Sequence, residues 1–168
     1  AILDASAGDY FPSFAKRQGY DHLVFYGRAA SWTLLRIVGD AVEFLDATPY
    51  VGLDNLDTAA AIERDFQCTE RKDMALARIT TAGENLVLTS GIMGGIKSIW
   101  ARGGAGAKMG SHRLKAIMIQ GKPGEPPLQK ELKERNKVIG KKITSTSVIK
   151  NALKQVGTPF LYKPSRVL

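Results

Sequence analysis

Cysteine and histidine are scarce in this chain of 168 residues, which has one Cys and two His. A lone Cys68 excludes an intramolecular disulfide framework and any Cys-rich zinc site. His22 and His112 leave little for a His-rich metal centre. No apolar run approaches the roughly 18 residues that a bilayer span needs. No charged start followed by an apolar stretch reads as a signal peptide. Acidic residues are missing altogether between Asn85 and Gly124. These absences leave a soluble, folded, basic protein without a membrane span. The expected setting is intracellular, with cytoplasmic, organellar and virion-associated locations indistinguishable.

The charge that is present is unevenly placed. The formal net charge is +8, yet residues 1–70 hold 5 Lys+Arg against 11 Asp+Glu, and residues 71–168 hold 19 against 5. The second part must find solvent, salt or an acidic partner. Nucleic acid is one such partner, because Lys and Arg gain affinity by releasing condensed counterions. An acidic protein surface is the other, including a subunit of the same kind in a homo- or hetero-oligomer.

Hydrophobic patterning predicts an α+β fold. Residues 1–20 read as an N-terminal arm anchored by Tyr10, Phe11 and Phe14. Extended runs follow at Leu23–Tyr26, Trp32–Val38 and Ala41–Leu45, the last two joined by the Gly39-Asp40 turn. Asp54–Phe66 changes to helical spacing, with Asp54 and Asp57 at the positive end of its dipole. A second meander is predicted from Met74–Thr80, Leu86–Thr89, Ile96–Ala101 and Leu114–Gln120, with Gly103–Gly106 as a flexible loop. Gly121–Pro127 is a loop. Two helices follow. One carries Leu128, Leu132 and Ile139, and the other runs from a Ser147 cap to a Gly157 stop. The expected architecture is a mostly antiparallel sheet of two meanders, with helices packed on one face and helices at the C-terminus. Residues 21–157 form one domain in this reading, and 158–168 a basic tail. This order of elements is similar to that of whirly-type single-strand-binding domains, a resemblance of architecture without signature residues.

Catalytic templates fit poorly. Neither Gly-Lys pair, at Gly121-Lys122 and Gly140-Lys141, completes a phosphate-binding P-loop, and Gly104 and Gly106 would need a glycine at Met109 for the dinucleotide spacing. Cys68 lies near Arg71 and Lys72, but no triad accompanies it. Glu70-Arg71-Lys72 has the Glu-x-Lys spacing of metal-dependent nucleases, with Asp46, Asp54 or Asp57 as the upstream carboxylate.

Cations have broader support. Lys97, Trp100, Arg102, Lys108, Arg113 and Lys115 crowd the acid-free stretch, where Trp100 would stack on bases and the others would meet phosphates. Lys130, Lys133, Arg135, Lys137, Lys141 and Lys142 follow on the helical segment. The sequence therefore predicts a non-catalytic, largely electrostatic binder of single-stranded or structured RNA or DNA, with no cofactor. A basic structural subunit of an organellar or viral assembly is the alternative, and a metal-dependent nuclease the third reading.

Overall fold

A computed structural model of the protein describes residues 2–121 and 130–161. The chain divides into two compact units, Ala1–Gly124 and Glu125–Leu168. The predicted loop beyond Gly121 and the tail beyond Leu161 lie outside the described residues.

The first unit is built on a six-stranded sheet. Its strands are β1 (Thr33–Val38), β2 (Ala41–Asp46), β3 (Met74–Arg78), β4 (Ile92–Met93), β5 (Ile99–Trp100) and β6 (Leu114–Gln120), in the order β2-β1-β6-β3-β4-β5. Gly39, at φ +58°, makes the tight turn that pairs Val38 with Ala41. The central strands β1, β6 and β3 are largely apolar and buried on both faces, because both are covered.

One face packs on α2 (Asn55–Phe66), which gives Ala59, Ala61 and Ile62 to a core with Leu34, Leu76 and Met118. Asp54 caps this helix by accepting from the N–H of Leu56 at 2.8 Å and of Asp57 at 2.9 Å. The other face packs on α1 (Phe11–Arg17) through Phe14 and on α4 (Ala105–Ser111) through Met109, against Leu35, Ile37, Ile117 and Ile119.

The α+β class is the one expected, and the details differ from the expectation. The sheet is mixed, since β1 and β6 run parallel while the other pairs are antiparallel. Helices cover both faces rather than one. The reason is long-range: β6 inserts between β1 and β3, an order that no local hydrophobic period encodes. Leu23–Tyr26 joins no ladder, and Val24 and Tyr26 face solvent. Leu86–Thr89 is a turn, not a strand. It follows the short helix α3 (Thr81–Glu84), and Leu86 itself turns at φ +57°. Gly103–Gly106 is ordered as a 3-10 turn leading into α4.

The second unit holds α5 (Lys130–Ser145), a π-helical turn (Ile149–Leu153) and α6 (Lys154–Val156), ended by Gly157 at φ +69°. The C-terminal helices are those expected, without a side-chain cap from Ser147. Among the described residues no helix is long and apolar enough to cross a membrane.

Candidate functional site

Glycines let two backbones meet beside the sheet. Gly110 of α4 lies against the carbonyl of Gly83 in α3, so closely that a Cβ there would collide with it. Gly106 sits in the same way on the carbonyl of Gly91, and its N–H donates to the Ser90 carbonyl at 3.0 Å. Gly103 and Gly104 are both left-handed, at φ +68° and +70°, a succession that side chains resist. Together they turn the chain out of β5, and Arg102 and Gly103 line a cavity there.

That cavity measures about 460 Å³. Phe11, Phe25, Ile92, Trp100, Met109 and Ile117 make an apolar wall, and Arg102, Lys108 and His112 supply its polar groups. A second hollow of about 620 Å³ lies between residues 23–29 and strands β1 and β2, and shares Phe25, His112 and Leu114 with the first. An apolar cavity with a few convergent cationic groups suits an anionic or polarised ligand with an apolar body.

Buried ion pairs brace this region. Arg78, fully buried in β3, donates to Glu70 and to the carbonyl of Asn55, both at 2.9 Å. Asn55 in turn donates to the Gly95 carbonyl at 3.2 Å. Arg78 Nη2, Asn55 Oδ1 and Ser90 Oγ are buried without a hydrogen-bond partner among the described residues. Lys115 is the extra residue at a register shift between β1 and β6, where Thr33 faces Leu114 and Leu34 faces Ala116. It donates to Glu84 at 2.5 Å and to the Leu53 carbonyl at 3.0 Å. Burial pushes the Lys115 ammonium below its ordinary pKa, against the opposing pull of Glu84.

The cations expected to line one nucleic-acid surface are dispersed. Arg102 and Lys108 do meet at the cavity, with Trp100 in its wall. Trp100 is packed edge-on against Phe11, ring centroids 6.0 Å apart, and is no open stacking platform. Lys97 is exposed. Arg113 is turned to the Ala30 carbonyl. Lys115 is buried and paired, so it cannot reach a phosphate. In the second unit Lys130 opens α5, which also carries Lys133, Lys141 and Lys142. Arg135 there pairs with Glu131, and Lys137 with Glu134.

The nuclease and thiol templates are consumed by structure. Glu70 holds Arg78, Asp54 caps α2, and Cys68 is buried as an acceptor from Gln120 at 2.9 Å. No group of three or more His, Cys, Asp or Glu that could hold a metal ion occurs among the described residues. Sequence reasoning missed Arg78. The available signal was a charged residue at an inward position of the otherwise apolar Met-Ala-Leu-Ala-Arg strand.

The first unit is thus a mixed sheet backing a glycine-packed turn and an apolar cavity with Arg102 and Lys108 in its lining, and the predicted cations do not share one groove. Comparison with known proteins gives the class its name. Residues 1–121 match the family model for the aldehyde ferredoxin oxidoreductase N-terminal domain, and the chain belongs to that family. The tungsten-containing aldehyde ferredoxin oxidoreductase of Pyrococcus furiosus is 34% identical over 163 residues, covering 95% of this chain and 26% of that protein. The enzyme of the same name from Thermococcus kodakarensis is 33% identical over the same shares. A WOR-like subunit of an aliphatic sulfonate oxidoreductase from Pyrococcus furiosus is 32% identical over 74% of this chain and 21% of that protein. The chain thus spans about a quarter of the length of the first two relatives. Among solved structures, the active-site complex BamBC of benzoyl coenzyme A reductase, in complex with 1,5-dienoyl-CoA, superposes with a TM-score of 0.65. It is 34% identical, over 70% of this chain and 18% of that one.

These relatives are oxidoreductases, which overturns the nucleic-acid-binding reading together with its structural-subunit and nuclease alternatives. The expected partner, nucleic acid or an acidic protein surface, falls with it. So does the likeness to whirly-type domains, since the sheet is mixed.

Proposed function

We propose that this chain is the N-terminal part of a tungsten-containing oxidoreductase, and that the cavity lined by Arg102, Gly103 and Lys108 receives part of its redox group. The observation that carries the reading is the family match over 1–121, which covers the whole cavity. The residues present fit an anionic group better than a bare cation. Among those described no group of three His, Cys, Asp or Glu is available, while Arg102, Lys108 and the left-handed Gly103 line the cavity. Tungsten in water is an oxyanion, so guanidinium and backbone groups are the natural contacts for it or for an anionic ligand that carries it.

When bound, the tungsten centre supplies the electron transfer to and from substrate. This chain's residues bind and orient. Arg102 neutralises negative charge in the cavity, Gly103 leaves its wall free of a side chain, and Trp100, Met109 and Ile117 exclude water. The substrate class is an aldehyde, by analogy with the relatives named for that activity. The test is elemental analysis of the purified protein for tungsten, with aldehyde-dependent reduction of ferredoxin. Arg102→Gln should lower both tungsten content and turnover. A protein that turns over aldehyde fully without tungsten, or an Arg102→Gln variant with unchanged tungsten content, overturns the reading.

A further inference from the structure

The two edges of the sheet differ. At one, β5 is two residues long and too short to offer a ladder to another chain. At the other lies β2, six residues in unbroken register with β1, without proline, lysine or a bulge. A two-residue turn joins the pair, so Val38 and Ala41 exchange backbone hydrogen bonds, and every second pair beyond them does the same. Val42, Phe44 and Asp46 therefore turn their N–H and C=O groups outward, where no other strand among the described residues meets them. Their side chains share the sheet face of Leu35 and Ile37. Phe44 is 76% exposed, and Val42 beside it is exposed as well. The apolar surface continues onto exposed Val24 and Tyr26, which line the hollow of about 620 Å³ together with Val42, Phe44 and Arg28. Glu43, on the opposite face, is already paired with Arg36 at 2.8 Å. Arg28 is exposed and has no acidic partner among the described residues.

One more strand completes an edge of this kind, and β2 fits its own copy. A two-fold axis through Phe44 lays β2 antiparallel on the β2 of a second molecule. In that register Phe44 faces Phe44 and Val42 faces Asp46, so every outward N–H meets an outward carbonyl. Glu43 falls opposite Leu45, and no two like charges oppose each other. The neighbouring register, with Glu43 on the axis, sets Glu43 against Glu43 and Asp40 against Asp46, so charge selects the first. The Asp46 carboxylate of one molecule then arrives beside Val42 on the face that carries Arg28 of the other, and gives that guanidinium an acid. We propose that β2 is a self-association edge, through which two copies of this chain pair antiparallel over Ala41–Asp46 and continue the sheet across a two-fold axis. The contact covers the apolar surface of Phe44, Val24 and Tyr26, which a single copy leaves to water. This goes beyond the redox reading and does not rest on it.

The test is sedimentation velocity of the full chain from about 1 µM to a few hundred micromolar, the range in which a small edge contact holds. The parent chain should pass from monomer to dimer and no further, because a two-fold contact closes on itself. Phe44→Lys places two ammonium groups on the axis and should weaken the dimer roughly a hundredfold or more. Its position is exposed, so the urea midpoint of the variant should stay that of the parent monomer. Phe44→Pro removes an outward N–H, leaves the bonds to β1 in place, and should also give a monomer. Phe44→Cys should crosslink to itself under mild oxidation, whereas Ala41→Cys, far from its own counterpart, should not. Amide exchange on the parent chain reads the register without a variant. The Val42, Phe44 and Asp46 amides should slow as concentration rises, while those of Glu43 and Leu45, bonded to β1, hold steady. A parent chain that stays monomeric at every concentration overturns the proposal. So does a dimer that survives Phe44→Lys, or one that leaves the three outward amides exchanging freely, since either places the contact on another surface.

Discussion

Removal of the carboxylate from Glu84 should cost this protein much of its stability. Lys115 is 0% exposed at its side chain and Glu84 is 7% exposed, so neither charge has water to fall back on. With Glu84→Ala, the ammonium keeps only the Leu53 carbonyl at 3.0 Å as acceptor, and the N–H of Gly52 loses its bond to Glu84 at 2.9 Å. Breaking one side of a buried pair costs about 3–5 kcal/mol, because an uncompensated charge remains. At roughly 2–4 °C per kcal/mol for a protein of this size, the melting temperature falls by about 10 °C. Replacing both partners tells the two contributions apart. Lys115→Met with Glu84→Gln removes both charges at similar volume and should lie within about 1 kcal/mol of the parent. The pH dependence has a definite sign. Burial holds the Lys115 pKa below its ordinary 10.5, so between the folded value and 10.5 the unfolded chain binds the proton more tightly. Stability from this group therefore rises with pH across that window, and the rise disappears in the double variant. Urea unfolding followed by Trp32 and Trp100 fluorescence, at neutral pH and near pH 9.5, measures all three quantities, since both tryptophans pack on the sheet core. A Glu84→Ala cost below about 1 kcal/mol would show that the ammonium is solvated, contrary to its burial.

Two further outcomes follow from other contacts. Gly110→Ala drives a Cβ into the Gly83 carbonyl and should cost about 1–3 kcal/mol, whereas Gly140→Ala meets nothing within 4 Å on α5 and should gain up to about 1 kcal/mol in helix propensity. Equal effects in denaturant melts would refute the backbone contact between α3 and α4. The Tyr50 phenol is pushed up to about 12 by burial and by its hydrogen bond to Asp65 at 2.9 Å, so its stabilising contribution holds below pH 10 and is lost as pH climbs to 12. Phenolate absorbance should show a step near pH 12 that Tyr50→Phe removes; a parent chain without that step contradicts the burial.

Much of the local structure was legible in the sequence because local physics decides it. Asp54 ahead of an Ala-rich helical period, Gly39-Asp40 between two apolar runs, and Gly157 before Pro159 all act where they stand. Strand order was not legible. The parallel pairing of β1 with β6 joins residues about eighty positions apart, and only the filled core selects it. Leu86-Val87-Leu88 has strand composition but lies beyond α3 with no strand edge to join, so composition lost to topology. The site was half legible. Trp100, Arg102 and Lys108 stand out in the sequence and do share the cavity, while Lys97, Arg113 and Lys115 lie outside it. Counting cations assumes that each is free, and Lys115 and Arg78 are instead neutralised inside the fold.

Those two buried cations explain how a region so rich in glycine keeps its shape. Arg78 and Lys115 sit on adjacent strands, joined where the Ile79 N–H donates to the Lys115 carbonyl at 3.0 Å. Their proximity is unfavourable, and Arg78 contributes to the lowering of the Lys115 pKa. Each is therefore bound to its own carboxylate, and each carboxylate belongs to a different flank. Glu70 ties the turn that carries Arg71, while Glu84 ties α3, whose Gly83 receives α4 and the Arg102 turn. Glycines alone would leave both turns free to drift, since they contribute close approach without side-chain contacts. Both cations also donate to carbonyls at the start of α2, Arg78 to Asn55 and Lys115 to Leu53, so two ion pairs from one strand junction fix the two flanks at once. Support of that kind behind a site's contact groups keeps them in one orientation, and the sequence places it at the very ends of the apolar runs that hide it: Arg78 directly follows residues 74–77 and Lys115 directly precedes residues 116–119.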